Sequence, residues 1–163
     1  MNNHRFHGDK TRFRIVANFV YETFGRNIKY IADVAGGQGM LTRILRNKYN
    51  YDAEVVDPRG WRMVGVPGRE EDYISSMADY YDLVIGLHPD EATKDVAESS
   101  KYTSTLLIPC CNFWDRTKVL GTDELLNEIR KYYDKNGIKY QEIIFKFKPP
   151  KNVGLLVIKN KKL

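Results

Sequence analysis

The sequence predicts an α/β domain: a doubly wound, mostly parallel sheet of seven strands, with a C-terminal β-hairpin that gives one antiparallel strand. Three observations carry that expectation. Apolar runs of strand length alternate with segments of helical periodicity along most of the chain. The runs KYIADVA, DLVIGL and STLLIP are apolar almost throughout, as parallel strands covered on both faces must be. The last two runs, YQEIIFKF and VGLLVIK, are joined only by KPPKN, a hairpin connection that forces one strand to run against the rest.

Each element follows in order. In residues 9–24, Phe13, Val16, Ala17, Val20, Tyr21 and Phe24 recur at helical intervals, with Asp9 as the expected N-cap and Gly25 as the stop. KYIADVA is the first strand, and after a glycine turn MLTRILRNKY is a helix with Leu41, Ile44 and Leu45 facing inward. AEVVD (53–57) is the second strand, closed by Pro58 and Gly60, and RMVGV (62–66) is a short third. EEDYISSMADY reads as a helix and DLVIGL (82–87) as the central fourth strand. DEATKDVAESS is a short helix with acids in its first turn, and STLLIP (104–109) is the fifth strand. Thr122 is the expected cap of the helix DELLNEIRKYYDKN, which Gly137 ends. There is no linker, repeat or low-complexity segment, so residues 1–163 are expected to form a single domain.

Composition narrows the class. With 42% hydrophobic residues among 163, a packed core is expected and wholesale disorder is excluded. No stretch approaches the ~18–20 apolar residues that span a bilayer. The start, MNNHRFHGDKTRFR, lacks the apolar segment of a secretory signal. The two cysteines, Cys110 and Cys111, are neighbours and make no disulfide framework, so a reducing cytoplasm is the expected location. The net charge of +5 is compatible with a phosphate-rich partner such as RNA, although scattered lysines and the KNKKL tail reach the same total without one.

The turn DVAGGQG (33–39) carries the most chemistry. A dinucleotide site asks for G-x-G-x-x-G. Counting from Gly37 gives Gly39 and then Thr42, and counting from Gly36 gives Gln38 and Leu41, so the third glycine is missing and nicotinamide is disfavoured. Asp33, Ala35, Gly37 and Gly39 instead occupy alternate places. That arrangement resembles motif I of the class I S-adenosylmethionine-dependent methyltransferases, with Ala35 where glycine is commoner. Asp57, which ends the second strand 18 residues past Gly39, and the terminal hairpin extend the resemblance over about residues 10 to 160.

The resemblance implies S-adenosyl-L-methionine as cofactor. Asp33, Ala35, Gly36, Gly37 and Gly39 would form its floor, the glycines allowing the backbone close to the methionine and ribose. Asp57 would accept both ribose hydroxyls, and Pro58, Gly68 and Leu87 would line the same site. Members often carry an acid after the third strand for the adenine amino group. Here Pro67 and Gly68 stand in that place, which leaves Glu70, Glu71 or Asp72 as alternatives.

Ligands of open parallel sheets bind beyond the carboxyl ends of the strands, where GLHPDEAT and IPCCNFWD follow the fourth and fifth strands. Methyl transfer is an in-line displacement on a sulfonium, so the protein must orient the nucleophile and handle a proton. His88 is the expected proton acceptor, with Asp90 and Glu91 accepting hydrogen bonds from the substrate. Cys110, Asn112, Phe113 and Trp114 are expected substrate contacts, the aromatics stacking on a flat group such as a base. The two loops are also similar to the His and Cys-Cys motifs of a branch that includes methyltransferase-like proteins and a tRNA ribose 2′-O methyltransferase. His88, Cys110 and Cys111 match that branch, whereas Asp90 and Glu91 stand where it has Cys-Gly.

Other chemistries fit less well. No basic neighbour precedes Arg116 and Lys118 to activate a cysteine nucleophile, so Cys110 and Cys111 read as small packing residues. Asp90 with Asn112, or His88 with the two cysteines, could contribute to a metal set, but the C-x-x-C spacing is absent and no metal is expected. The amine-clamping Asn/Asp-Pro-Pro-Tyr motif is missing, and a Lys-Asp-Lys-Glu tetrad fits only by stretching positions. The expected function is therefore S-adenosylmethionine-dependent methylation, with RNA (tRNA or rRNA) as the favoured substrate and the acceptor atom unassigned. A protein or small-molecule acceptor stays open, as does a non-catalytic module of the same fold that binds RNA or a partner protein. A domain this small could act as a homodimer or with a partner subunit.

Overall fold

Side chains that alternate along the central strands, nearly all of them apolar, must be covered from two sides, and they are. In the computed structural model, which describes residues 8–160, seven strands form one sheet in the order β3-β2-β1-β4-β5-β7-β6. They are β1 (Tyr30–Val34), β2 (Asp52–Val56), β3 (Gly68–Arg69), β4 (Leu83–Leu87), β5 (Ser104–Ile108), β6 (Gln141–Ile144) and β7 (Val153–Val157). β7 pairs antiparallel with both β5 and β6, and every other pairing is parallel. The segment MNNHRFH and the last three residues of the KNKKL tail lie outside the described residues.

Ile31, Leu83, Ile85, Leu106, Ile108 and Leu156 face one layer, formed by α1 (Arg12–Phe24) and α2 (Met40–Asn47). Their neighbours Ala32, Val34, Val84, Leu107, Leu155 and Val157 face the other, formed by α3 (Thr93–Ser99) and α4 (Thr122–Lys135). This period-two exchange is what a doubly covered strand requires. No helix among the described residues is long and apolar enough to cross a membrane.

Several elements differ from expectation. RMVGV forms no strand: Gly65 has φ +84°, Val66 N–H bonds Met63 O, and Met63 N–H bonds Gln38 O, so the segment turns back over the glycine turn. The third strand is only Gly68–Arg69. In place of a full helix over EEDYISSMADY there is a 3-10 helix, Ser75–Tyr80. Its start is tied to α3, because Asp95 and Glu98 accept from Ser75 N–H and Oγ, and Tyr73 bonds Ser99.

Asp90 and Glu91 lie in a one-turn 3-10 segment (Asp90–Ala92) ahead of α3, rather than in an α-helical first turn. The N-cap of α4 is Gly121, with Thr122 already helical. Asp9 sits two residues ahead of the N-cap, Thr11, accepting from Thr11 N–H and Oγ1 while its other oxygen takes the Lys148 N–H. Tyr21 is exposed and stacks on Tyr49.

Candidate functional site

The chain leaves β1 toward β2 on one side of the sheet and returns through β4 to β5 on the other. The crevice beyond the carboxyl ends of β1 and β4 is the switch point at which open α/β sheets bind ligands. Two cavities open there, of about 550 Å³ and 420 Å³. Both are lined by Ala35, Arg59 and Asp90, so they are two halves of one groove. Strain gathers at the same place. Ala35, His88 and Asp90 are non-glycine residues with φ of +53°, +53° and +49°, a conformation that costs such residues about 1–3 kcal/mol each and clusters at functional sites.

The glycine turn separates into two jobs. Gly36 and Gly37 line the larger cavity with Asp33 and Ala35. A Cβ on Gly37 would meet nothing nearer than Arg59 Nη2 at 3.9 Å, so this backbone faces open space. A Cβ on Gly36 would lie 2.6 Å from the Asp33 carboxylate, which sits directly beneath it. Gly39 does not line either cavity. It turns toward the sheet, where a Cβ would come within 2.6 Å of Val66 and 3.0 Å of Val55. Gly68 is likewise a packing position, its Cβ site 2.5 Å from Val55 O, and it lies outside both linings.

Asp33 is 2% exposed and its Oδ2 accepts from Thr42 N–H and Oγ1. Burial pushes its carboxyl up to about 7, against the lowering effect of the Thr42 bonds and with help from the Asp57 charge. In the unfolded chain this acid loses its proton near pH 4. Between about pH 4 and pH 7 the folded state therefore binds more protons, and stability falls as pH rises. Asp33→Asn should remove that slope, worth on the order of 4 kcal/mol. Urea denaturation of wild type and variant at both ends of the window measures it.

Asp57 is held differently. Its Oδ1 accepts from Arg59 N–H and Nε, and its Oδ2 from Arg59 Nη2 at 2.7 Å and from Gly37 N–H at 2.9 Å. Burial alone would raise its pKa, but the Arg59 and Gly37 bonds outweigh that and keep it below the usual carboxylate value. The Arg59 guanidinium lies over the Trp61 ring at 4.3 Å and also reaches Ala35 O. All four lone-pair positions of the carboxylate are thus taken. Pro58 lines the smaller cavity beside Asp57, together with Asp72, Tyr73 and Ile74. Of the three acids considered after the third strand, Asp72 alone lines the groove; Glu71 is 4.0 Å from Arg69 and Glu70 crowds Gly60.

On the β4 side, Leu87 and His88 line the larger cavity. The His88 Nε2 lies 2.8 Å from the Lys151 carbonyl oxygen. A carbonyl only accepts, so Nε2 carries the proton and Nδ1 is left as the basic nitrogen. Burial lowers the His88 pKa against the opposing bond to the Lys151 carbonyl, with the Arg12 and Lys151 charges adding to the lowering, so the ring is neutral near pH 7. Asp90 Oδ1 accepts the Cys110 thiol proton at 3.2 Å. Glu91 is exposed, faces Arg116 at 3.4 Å and lines the smaller cavity.

The β5 loop is split. Cys110 and Cys111 line the larger cavity and Phe113 the smaller one. Asn112 does not reach either: its side chain bonds Asp115 and Lys118 carbonyls and the Trp114 and Asp115 amides, tying its own loop. Trp114 packs edge-on against Tyr132 at 5.5 Å, away from the groove. Burial and the Asp90 carboxylate push the Cys110 thiol well up, so it is no thiolate nucleophile.

Arg12 and Lys151 escaped sequence reasoning. Arg12 is 9% exposed, its Nη1 donates to Asp9 O, and its Nε has no partner among the described residues. No carboxylate pairs with it among the described residues, yet it lines the larger cavity. The available signal was its place four residues before Val16 on the inward stripe of α1. Lys151 had no such mark, being one lysine of the hairpin connection.

No family model matches this chain, and no curated protein does. Solved structures do. The chain is similar to a SAM-dependent methyltransferase from Aquifex aeolicus, at 16% identity over 92% of this chain and 93% of that one, with a TM-score of 0.55. It is similar to the sugar N-methyltransferase KedS8 from Streptoalloteichus sp., at 12% identity over 91% and 88%, TM-score 0.57. It is also similar to DesVI from Streptomyces venezuelae, at 11% identity over 93% of each chain, TM-score 0.58. The fold is that of the class I methyltransferases, seven strands with the last one reversed.

Proposed function

We propose, from the fold it shares with class I methyltransferases, that this chain transfers a methyl group from S-adenosyl-L-methionine. The observation that carries the reading is the two-part groove at the switch point, with Asp57 lining its smaller half and the neutral imidazole of His88 its larger half. The residues fit such a cofactor. Asp57 and the Gly37 backbone would hold the ribose, Pro58, Asp72 and Tyr73 the adenine. Arg12, a buried cation with no carboxylate partner among the described residues, would meet the methionine carboxylate. When bound, the cofactor supplies an electrophilic methyl on a sulfonium. His88 Nδ1 would take the proton that an acceptor hydroxyl or amine sheds on attack, its Nε2–H fixed by Lys151 O.

For the acceptor, the excess of +5 charges and Lys151 at the larger cavity support a phosphate-bearing substrate such as RNA. A binding-only module is the second reading, and one observation favours it: the Asp57 carboxylate is fully engaged by Arg59 and the Gly37 N–H.

Calorimetric titration with S-adenosylmethionine and S-adenosylhomocysteine, with NAD as control, tests the cofactor. Methyl-labelled cofactor offered with total RNA and, separately, with a small-molecule extract tests the acceptor. Cofactor binding without label uptake in either pool favours the binding module, and absence of cofactor binding overturns the methyl-transfer reading and leaves the binding module. His88→Ala should leave cofactor affinity unchanged and cut turnover by about a hundredfold. The wild-type rate should fall in acid only below the ordinary histidine range, because the base is the neutral ring and its pKa is depressed.

A further inference from the structure

The ends of β4 and β5 bring together three donors that the methyl-transfer reading leaves unused, namely the Asp90 carboxylate and the Cys110 and Cys111 thiols. One donor atom from each lies within 4.8 Å of the other two. The Cys110 Sγ to Asp90 Oδ1 distance is 3.2 Å. Around a tetrahedral zinc ion, with bonds of about 2.0–2.3 Å, donor atoms stand about 3.5–3.8 Å apart. Shifts of about an ångström would close these three on one ion.

We propose that Asp90, Cys110 and Cys111 form a three-donor site for a thiophilic divalent cation of the zinc class, open toward the larger cavity. All three residues line that cavity, and three protein ligands with a further position facing a pocket is the arrangement of open, substrate-accessible zinc sites. Two sulfurs with one carboxylate select zinc over magnesium or calcium, which prefer oxygen alone.

Charge supports the same assignment. Two thiolates, one carboxylate and a divalent cation sum to one excess negative charge. The Lys151 Nζ, 3.9 Å from Cys111 Sγ, and the buried Arg12 guanidinium on the same cavity stand ready to offset it. The loop is also committed to this geometry, since His88 and Asp90 both hold left-handed backbone on either side of Pro89. Binding would convert two thiols to thiolates and release two protons to solvent, with no change of oxidation state.

From spacing alone, His88 is the third partner that the cysteines suggest. The fold turns His88 to Lys151 O and delivers Asp90 instead. The proposal is independent of the methyl-transfer reading, because its test measures metal alone.

Reduced, chelator-stripped protein is titrated with cobalt(II) and then zinc(II). One equivalent of cobalt should give the intense near-ultraviolet thiolate-to-metal band and the visible bands of a tetrahedral site, both bleached by one equivalent of zinc. Cys110→Ser and Cys111→Ser should each weaken zinc binding by at least about a hundredfold. Asp90→Asn should weaken it while keeping the thiolate band. Because Cys111 is exposed, its variant carries the test even where Cys110→Ser fails to fold. A cobalt complex without the thiolate band, or zinc affinity unchanged in the Cys111→Ser variant, overturns the proposal.

Discussion

Asp57→Ala should weaken S-adenosylmethionine binding by about a hundredfold, and Arg59→Gln should strengthen it by about tenfold. The opposite signs follow from one carboxylate. Two hydroxyls on an ionised acid are charge-assisted bonds whose joint loss is worth ~3 kcal/mol. Yet the oxygens that would accept them already hold Arg59 Nε and Nη2, at 2.9 Å and 2.7 Å. Ribose must therefore exchange with the guanidinium, and the bonds it displaces are a cost to binding. The Arg59→Gln change would leave the backbone bonds from residue 59 and Gly37 in place and remove the competitor, a gain of ~1.4 kcal/mol. Calorimetry on the two variants reads both numbers. If Arg59→Gln loses affinity, the guanidinium holds the ligand rather than guarding its site, and the proposed exchange is wrong.

Gly39→Val should destabilise the fold by about 4 kcal/mol, whereas Gly37→Ala should cost about 1–2 kcal/mol, most of it from its backbone angle. Both glycines have positive φ, +84° and +59°, so each substitution strains the backbone. Only at Gly39 is there also no room, with Val66 within 2.6 Å and Val55 within 3.0 Å of the new Cβ. Chemical denaturation separates the two. The functional readout should run the other way: Gly37→Ala puts a methyl into the cavity and should reduce cofactor affinity in a protein that still folds. Equal stability losses would mean that the two positions are packed alike.

The mostly parallel sheet and its reversed last strand were legible because they rest on local patterns. Apolar runs such as DLVIGL declare burial on both faces, and KPPKN between two strands leaves no length for a crossover. That Asp33, Gly37, Asp57 and His88 would line the crevice was legible for a related reason: they stand at or just past the ends of strands, where the topology opens it. RMVGV misled because its apolar residues serve a turn that caps Gly39, a contact with no signature in the segment itself. Asn112 and Trp114 misled because a polar or aromatic residue on a loop reads the same whether it faces a ligand or braces its own loop.

By itself, then, the chain order determined the sheet, its two covering layers and the crevice at its switch point, since periodicity and connection length are properties of neighbours in sequence. Tertiary structure alone decided what occupies that crevice. It placed Arg12 from the first helix and Lys151 from the last hairpin on one cavity, closed Arg59 over Asp57, and brought Asp90 to Cys110. Most of those contacts join residues far apart in the chain, and which partner satisfies a buried charge is settled only when the strands that carry both are packed.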